Sequence, residues 1–319
     1  MVALHRGWQA LPAAARGASL ALGNFDGVHR GHAHLLASAH AARPDAPLAV
    51  LTFEPHPREL FRPDDPPFRL TLSAERLDAL GALGVEHVIE VAFDRAFSQF
   101  AGERFVAEVL HGAAGAVHLA CGPDFAFGYR RGGTVDVLRV QAEALGMGLT
   151  VVPPLADAGG PISSTRIRRA LQDGYPERGA ADLGRAWSIR GVVAHGDARG
   201  RTIGFPTANI ALGAHLEPAR GVYAVSALVD GRRVGGVANI GRRPTVAEGA
   251  ISRLEAHLFD FDGDLYGREL SVSLHSFLRA ERKFDGLDAL RAQIAADAGE
   301  ARQILLALPV EASGGARHL

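Results

Sequence analysis

The feature that most constrains this chain is a change of pattern near Gly184. Before it, short apolar runs alternate with segments of helical period. After it, the runs are strand-like and broken by Gly, Asp and Asn. In the first half, residues 19–25, 48–53, 87–91, 117–121 and 149–152 read as strands. Residues 32–42, 74–83 (with Ser73 as N-cap), 103–111 and 135–145 read as helices. Strands spaced by helices predict βαβ units and a parallel sheet. Residues 53–70, FEPHPRELFRPDDPPFRL, carry too many prolines for a helix or central strand and read as a long surface loop. From residue 187 to 277 the pattern predicts antiparallel strands closing a small barrel or sandwich, with hairpin turns at Asp230-Gly231 and Asp262-Gly263. A helix over 286–308 follows. The predicted organisation is therefore a domain over 1–184, a domain over 185–308 and a flexible tail over 309–319.

Charge and cysteine content exclude several function classes. The net charge is −1, divided as −3 before residue 184 and +2 after it. Neither half carries the basic footprint of a nucleic-acid or membrane-surface partner. The single cysteine, Cys121, rules out an intramolecular disulfide and a multi-cysteine metal site. No apolar run approaches the roughly 18–20 residues that span a bilayer. The first residues, MVALHRGWQALPAAARG, hold no apolar signal core. A soluble, cytoplasmic protein is expected.

Three segments of the first half carry chemistry. In GNFDGVHRGHAHLL, a strand runs into a turn bracketed by Gly23, Gly27 and Gly31, and then into a helix. His29 and His32 stand three residues apart at its start, where backbone N–H groups and the helix dipole attract an anion. In PISSTRIRRAL, Ser163 or Ser164 is the N-cap, and Arg166, Arg168 and Arg169 crowd the positive end of a helix. That placement suits a bound anion, while splaying into water is the bland alternative. In CGPDFAFGYRRGGTVDVL, glycines and aromatics follow a strand and suit a ligand wall. In the second half, HGDARGRTIGFPTANI places Gly196, Gly200 and Gly204 in a loop able to wrap phosphates. Thr207 and Asn209 add hard oxygen ligands suited to Mg²⁺. No Walker A or protein-kinase signature is present.

With GNFDGVHRGH, FEPHP, GPDFAFG and SSTRIRRAL in that order, the first half resembles the adenylyltransferase module of the prokaryotic bifunctional riboflavin kinase/FAD synthetase family. GRTIGFPTANI, GVYA, GVANIGRRPTV, LEAHLFDFDGDLYG and LRAERKF resemble the flavokinase half of the same family. The resemblance implies an α/β Rossmann-like nucleotidyltransferase domain followed by a small antiparallel β-barrel domain with a C-terminal helix. It implies phosphorylation of riboflavin to FMN and adenylylation of FMN to FAD, with ATP, riboflavin and FMN as substrates and Mg²⁺ as cofactor. It places His29 and His32 on the ATP phosphates, and Gly23, Asn24, Phe25, Asp26, Gly27 and Gly31 around the nucleotide. Asp124 would lie near the phosphates, and Ser164, Thr165 and Arg168 would hold the triphosphate. In the kinase half it implies Glu255 as general base. Thr207 and Asn209 would hold Mg²⁺ and phosphate, beside Gly196, Gly200, Gly204, Pro206 and Arg279. His257, two residues from Glu255 on the same strand face, reads as a structural neighbour.

Three stretches depart from the family pattern, all in the first half. Ala126 stands where the family often has Arg. Arg130 and Thr134 replace Gly and Asp, and Pro161 precedes SST where some members carry a basic residue. These departures leave open a riboflavin kinase alone, with a degenerate nucleotidyltransferase-like regulatory module. A nucleotidyltransferase for another acceptor would leave residues 187–300 unexplained.

Overall fold

The computed structural model describes residues 2–195, 205–243 and 251–308. They pack as two compact units. Among the described residues, one comprises 2–65 together with Thr71–Ile162, and the other comprises Pro66–Leu70 with the described residues from Ser163 to 308.

The first unit is built on a six-stranded, all-parallel sheet. Its strands are β1 (Ala3–Arg6), β2 (Ser19–Leu22), β3 (Leu48–Glu54), β4 (His87–Ala92), β5 (His118–Cys121) and β6 (Gly148–Val151), in spatial order β1-β4-β3-β2-β5-β6. The strands are apolar on both faces because both faces are covered. Leu20, Leu22, Leu51 and Ile89 pack on one side, against Phe105, Val109 and Leu110 and the helix Val135–Ala144. Ala21, Val50 and Val88 pack on the other, against Leu35, Leu36 and Ala39 of α1 (Arg30–Ala42) and Leu80 of a helix over Ser73–Ala82. From β2 the chain winds through β3 and β4 to one side, then returns to β5 beside β2 and continues to β6. The crevice between the carboxyl ends of β2 and β5 is therefore the topological switch point, where such sheets bind ligands.

Local chemistry moves several expected boundaries. Ser73 is the first helical residue rather than the cap. Its hydroxyl donates to Glu90 at 2.6 Å, while Glu75 accepts the Leu72 amide at 2.7 Å. The proline-rich segment is not all loop. Pro57–Phe61 forms a helix, with proline tolerated in its first turn and His56 and Glu59 capping reciprocally. The expected helix over 103–111 starts at Gly102 and widens into π-type winding over Phe105–Ala113. The edge strand β1 and the two-residue strands β7 (Ala156–Asp157) and β8 (Gly160–Pro161) are too short to read from periodicity.

The second unit is an antiparallel barrel of β9 (Trp187–Val192), β10 (Ala208–Ala211), β11 (Gly221–Val229), β12 (Arg232–Arg243), β13 (Ile251–Leu258) and β14 (Glu269–Ala280). The order is β10-β13-β12-β11-β14-β9. A bridge from Ala194 to Asn209 draws the two end strands together. Asp230 and Gly231, with φ of 51° and 76°, make the expected tight turn between β11 and β12. Asp262-Gly263 does not turn a hairpin. It lies in the longer connection from β13 to β14, which are not neighbours in the sheet. A C-terminal helix over Leu287–Ala307 covers the outer face of β11 and β12. Tyr223, Val225 and Ala227 thus fill the barrel while Val222 and Ala224 meet that helix, so β11 is largely apolar on both faces, Ser226 apart.

Two helices before β9 belong to this packing. The helix Ser164–Gln172 is capped by the Ser163 hydroxyl, which accepts the Arg166 amide at 3.2 Å. It sends Ile167 and Leu171 into the barrel core, joined there by Leu183 from the helix Pro176–Leu183. The packing boundary lies before Ser163, whereas the change in sequence pattern lies near Gly184.

Candidate active sites

The turn after β2 holds its shape through unusual backbone. Phe25 and Val28 take φ of 50° and 44°, on either side of Gly27 at 88°. For a β-branched valine that region is strained, and strain of this kind persists only where surrounding structure enforces it. Phe25 is fully buried in the core. Asp26 is buried, and its Oδ1 accepts the Thr71 amide at 3.0 Å. The Gly27 amide donates to the Thr71 hydroxyl at 2.9 Å. Phe25 and Asp26 therefore secure the turn from within, and Thr71, which sequence reading did not single out, is their partner.

His29 is the N-cap of α1 and His32 is its third residue. Each Nδ1 accepts the other residue's backbone amide, both at 3.3 Å. The rings stack with centroids 3.7 Å apart and planes 18° apart. Because each Nδ1 accepts, each neutral ring carries its proton on Nε2. Two Nε2–H donors on near-parallel rings are thus held at the positive end of a helix. Gly31 fits closely beside them. A Cβ there would come within 3.0 Å of the His29 ring and 3.1 Å of the Ile162 carbonyl oxygen.

At the switch point lies a cavity of about 520 Å³. Gly23 and Asn24 from the end of β2 and Asp124 from beyond β5 meet in its wall. Phe53, Phe97, Phe125 and Phe127 give it aromatic sides. Ala126 and Arg130, two of the departures from the family pattern, also line it, whereas His29 and His32 do not. Ser164, Thr165 and Arg168 are on the helix of the second unit. There the Arg168 Nε donates to the Phe68 carbonyl at 2.9 Å, and Arg166 is ion-paired with buried Asp182. The crowd of arginines is therefore partly explained by protein partners.

In the barrel, strand alternation sorts the second set of residues. Leu254, Ala256 and Leu258 point into the core, so Glu255 and His257 face outward. Glu255 lies in register with Asn209 on β10 at one side and Asn239 on β12 at the other. A polar row Asn209–Glu255–Asn239 thus crosses three strands. Asn239 and Glu281 were not singled out from sequence; the Asn239 amide donates to Glu281 at 3.0 Å. The signal was present, since Ala-Asn-Ile occurs at both 208–210 and 238–240. His257 Nδ1 donates to the Pro206 carbonyl at 2.9 Å, tying down the entry to β10. Thr207 and Pro206 line a cavity of about 360 Å³ closed by the connection from Phe261 to Tyr266. Arg279 is held by Asp297, with Nη2–Oδ2 at 2.7 Å. Gly196, Gly200 and Gly204 lie outside the described residues.

Among the described residues no group of three His, Cys, Asp or Glu side chains could hold a metal. A magnesium ion bound with nucleotide needs few protein ligands, and hard oxygens suffice. Asn209 meets that description. It is buried, its Oδ1 has no hydrogen-bond donor, and its Nδ2 lies 3.5 Å from the Thr207 hydroxyl.

Comparison with known proteins accounts for both halves. A family model described as FAD synthetase matches residues 11–166, and one described as riboflavin kinase matches residues 183–305. The bifunctional riboflavin kinase/FMN adenylyltransferase of Escherichia coli K12 is 43% identical over 290 residues, covering 90% of this chain and 92% of that protein. The protein of the same name from Pseudomonas fluorescens is 41% identical over 303 residues, covering 94% and 97%. That from Bacillus subtilis 168 is 38% identical over 288 residues, covering 88% and 90%. A solved structure described as a macrolide-efflux protein from Streptococcus pneumoniae superposes with a TM-score of 0.83 at 32% identity, covering 96% of this chain and 99% of that one. Among the described residues, no helix is long and apolar enough to cross a membrane.

Proposed function

As the chain belongs to the bifunctional riboflavin kinase/FMN adenylyltransferase family, we propose that it phosphorylates riboflavin to FMN with one ATP and adenylylates FMN to FAD with a second. The observation that carries this reading is the tandem of both family models in a single chain, at residues 11–166 and 183–305. It favours two activities over a kinase with a degenerate first half.

In the adenylyl transfer, an FMN phosphate oxygen attacks the α-phosphorus of ATP. The bond to the bridging oxygen breaks and pyrophosphate leaves. The attacking oxygen is already ionised, so no base is needed; positioning and charge neutralisation provide the rate. The paired Nε2–H donors of His29 and His32 suit that task. The aromatic cavity between Asn24 and Asp124 suits the flat flavin ring.

In the kinase step, the ribityl 5′-hydroxyl attacks the γ-phosphorus and ADP leaves. The hydroxyl must lose its proton, and Glu255 accepts it. Asn209 and Asn239 lie in register with Glu255 on either side. Thr207 and Asn209 would hold Mg²⁺, which neutralises charge on the transferring phosphoryl group when bound. Both steps consume ATP, which suits a cytoplasmic setting. The test is product analysis after incubating the purified chain with riboflavin, ATP and a magnesium salt. FMN followed by FAD is expected. FMN alone would leave only the kinase, and neither product would overturn both assignments.

A further inference from the structure

The barrel unit holds a second, larger cavity, of about 680 Å³, to which neither reaction assigns a residue. It lies between the β11–β12 hairpin, the last turns of the C-terminal helix and the start of the β13–β14 connection. Phe259, Leu305 and Val234 give it apolar walls, and Arg232, Arg233 and Arg302 stand around it. Its two carboxylates already have cationic partners: Asp260 is paired with Arg302 at 2.8 Å, and Asp230 with Arg268, outside the cavity, at 2.5 Å. Deeper in, Ser226 occupies a β11 position whose neighbours of the same face, Val222 and Ala224, are apolar. It is buried and hydrogen-bonded to His275 Nε2 at 2.8 Å. A polar pair under an apolar, cation-rimmed opening is the composition of a small-molecule site.

We propose that this cavity binds a small amphipathic anion, a flat apolar ring system bearing one acidic group, and that its occupancy is felt at the Thr207 cavity. The link is the connection between β13 and β14. Phe261 stands in the walls of both cavities, and Asp262–Tyr266 continue around the Thr207 cavity. An anion that takes Arg302 competes with Asp260, which is the first turn of that same connection. Only this coupling rests on the kinase reading; occupancy itself does not.

The probe is 1-anilinonaphthalene-8-sulfonate, titrated by fluorescence into the full chain, with uncharged N-phenyl-1-naphthylamine as control. Arg232→Glu, at an exposed rim position outside both catalytic sets, is expected to weaken one class of sulfonate site at least about tenfold, while the uncharged probe changes less than about twofold. Saturating ADP is expected to shift the sulfonate affinity about fivefold or more, and the sulfonate to shift ADP affinity by the same factor, as linkage requires. Unchanged sulfonate binding in Arg232→Glu, or equal loss of both probes, overturns the anion site. Sulfonate affinity indifferent to bound ADP overturns the coupling. Failure of the chain to bind ADP at all would count against the kinase reading, and the Arg232→Glu titration would still decide the site.

Discussion

Under the proposed assignment, the two units would treat the same co-substrate with opposite tools. The parallel-sheet unit presents donors: two stacked imidazoles on a helix end, above a turn held by Asp26 and Thr71. The barrel unit presents an acceptor: one carboxylate set between two amides across three strands. The difference follows from the nucleophile. A phosphate oxygen arrives ionised and asks only for its charge to be managed, whereas a hydroxyl arrives with a proton that must go somewhere. A parallel sheet offers its switch-point crevice and helix ends for the first task. An antiparallel barrel offers fixed outward positions in register for the second.

The sharpest way to break this contrast is Glu255→Gln. It keeps the shape and an acceptor oxygen but is a far poorer base, so kinase kcat is expected to fall roughly 10²–10⁴-fold. FAD synthesis from supplied FMN should be unchanged, and ATP affinity nearly so. A variant with near-full kcat, with chemistry shown to limit turnover, would reduce Glu255 to a strand partner. His29→Ala is the mirror experiment. Loss of one preorganised donor is expected to slow FAD formation about 10²–10³-fold while FMN formation stays within about twofold. Equal loss of both activities would mean the sites are not separate.

The next effect sharpens where the units divide. Leu171 is buried in the barrel core although it lies before Gly184. Leu171→Ala is expected to cost about 2–5 kcal/mol, so the second unit should melt, and kinase activity be lost, at a lower temperature than in the unaltered chain. The same logic expects a fragment beginning at Ser163 to fold better than one beginning at Arg185, measured by thermal melting of each. A stable fragment from Arg185, with Leu171→Ala harmless, would restore the boundary to the point where the sequence pattern changes.

The smallest effect concerns Glu217 in the barrel unit. Burial pushes its carboxyl up, but hydrogen bonds from Arg220, Arg242 and Ser252 outweigh that and hold it below the ordinary carboxylate value of 4.5. A carboxylate depressed in the folded state stabilises above its unfolded pKa and loses that contribution as pH falls. Glu217→Gln should therefore lower Tm slightly at neutral pH, by the equivalent of under about 1 kcal/mol for a partly exposed network. The gap to the unaltered chain should close as pH drops below about 4.5. A gap that persisted in acid would assign the effect to packing.

Much of this architecture was legible because long-range order left local marks. Strands buried on both faces wrote continuous apolar runs into residues 20–22 and 48–51. The Asp230-Gly231 turn announced its hairpin. What escaped notice depended on partners far along the chain. Asp262-Gly263 has the same letters as a hairpin turn, but its flanking strands pair elsewhere. The helix Ser164–Gln172 has no local sign that its apolar side belongs with strands that follow rather than those that precede it. At the sites, His29, His32 and Glu255 stood out by motif. Thr71 and Asn239 did not, because a supporting residue is identified only by what it reaches.

The reciprocal capping of His29 and His32 also has a consequence for how this site can change over generations. Each imidazole supplies the acceptor for the other's amide and the surface against which the other ring stacks. Removing either one releases both, so the double variant His29→Ala/His32→Ala should be scarcely slower than the worse single variant, the mark of groups that act as one part. A route that altered them one at a time would meet its full loss at the first step and gain nothing back at the second. The pair is therefore passed on whole or given up whole.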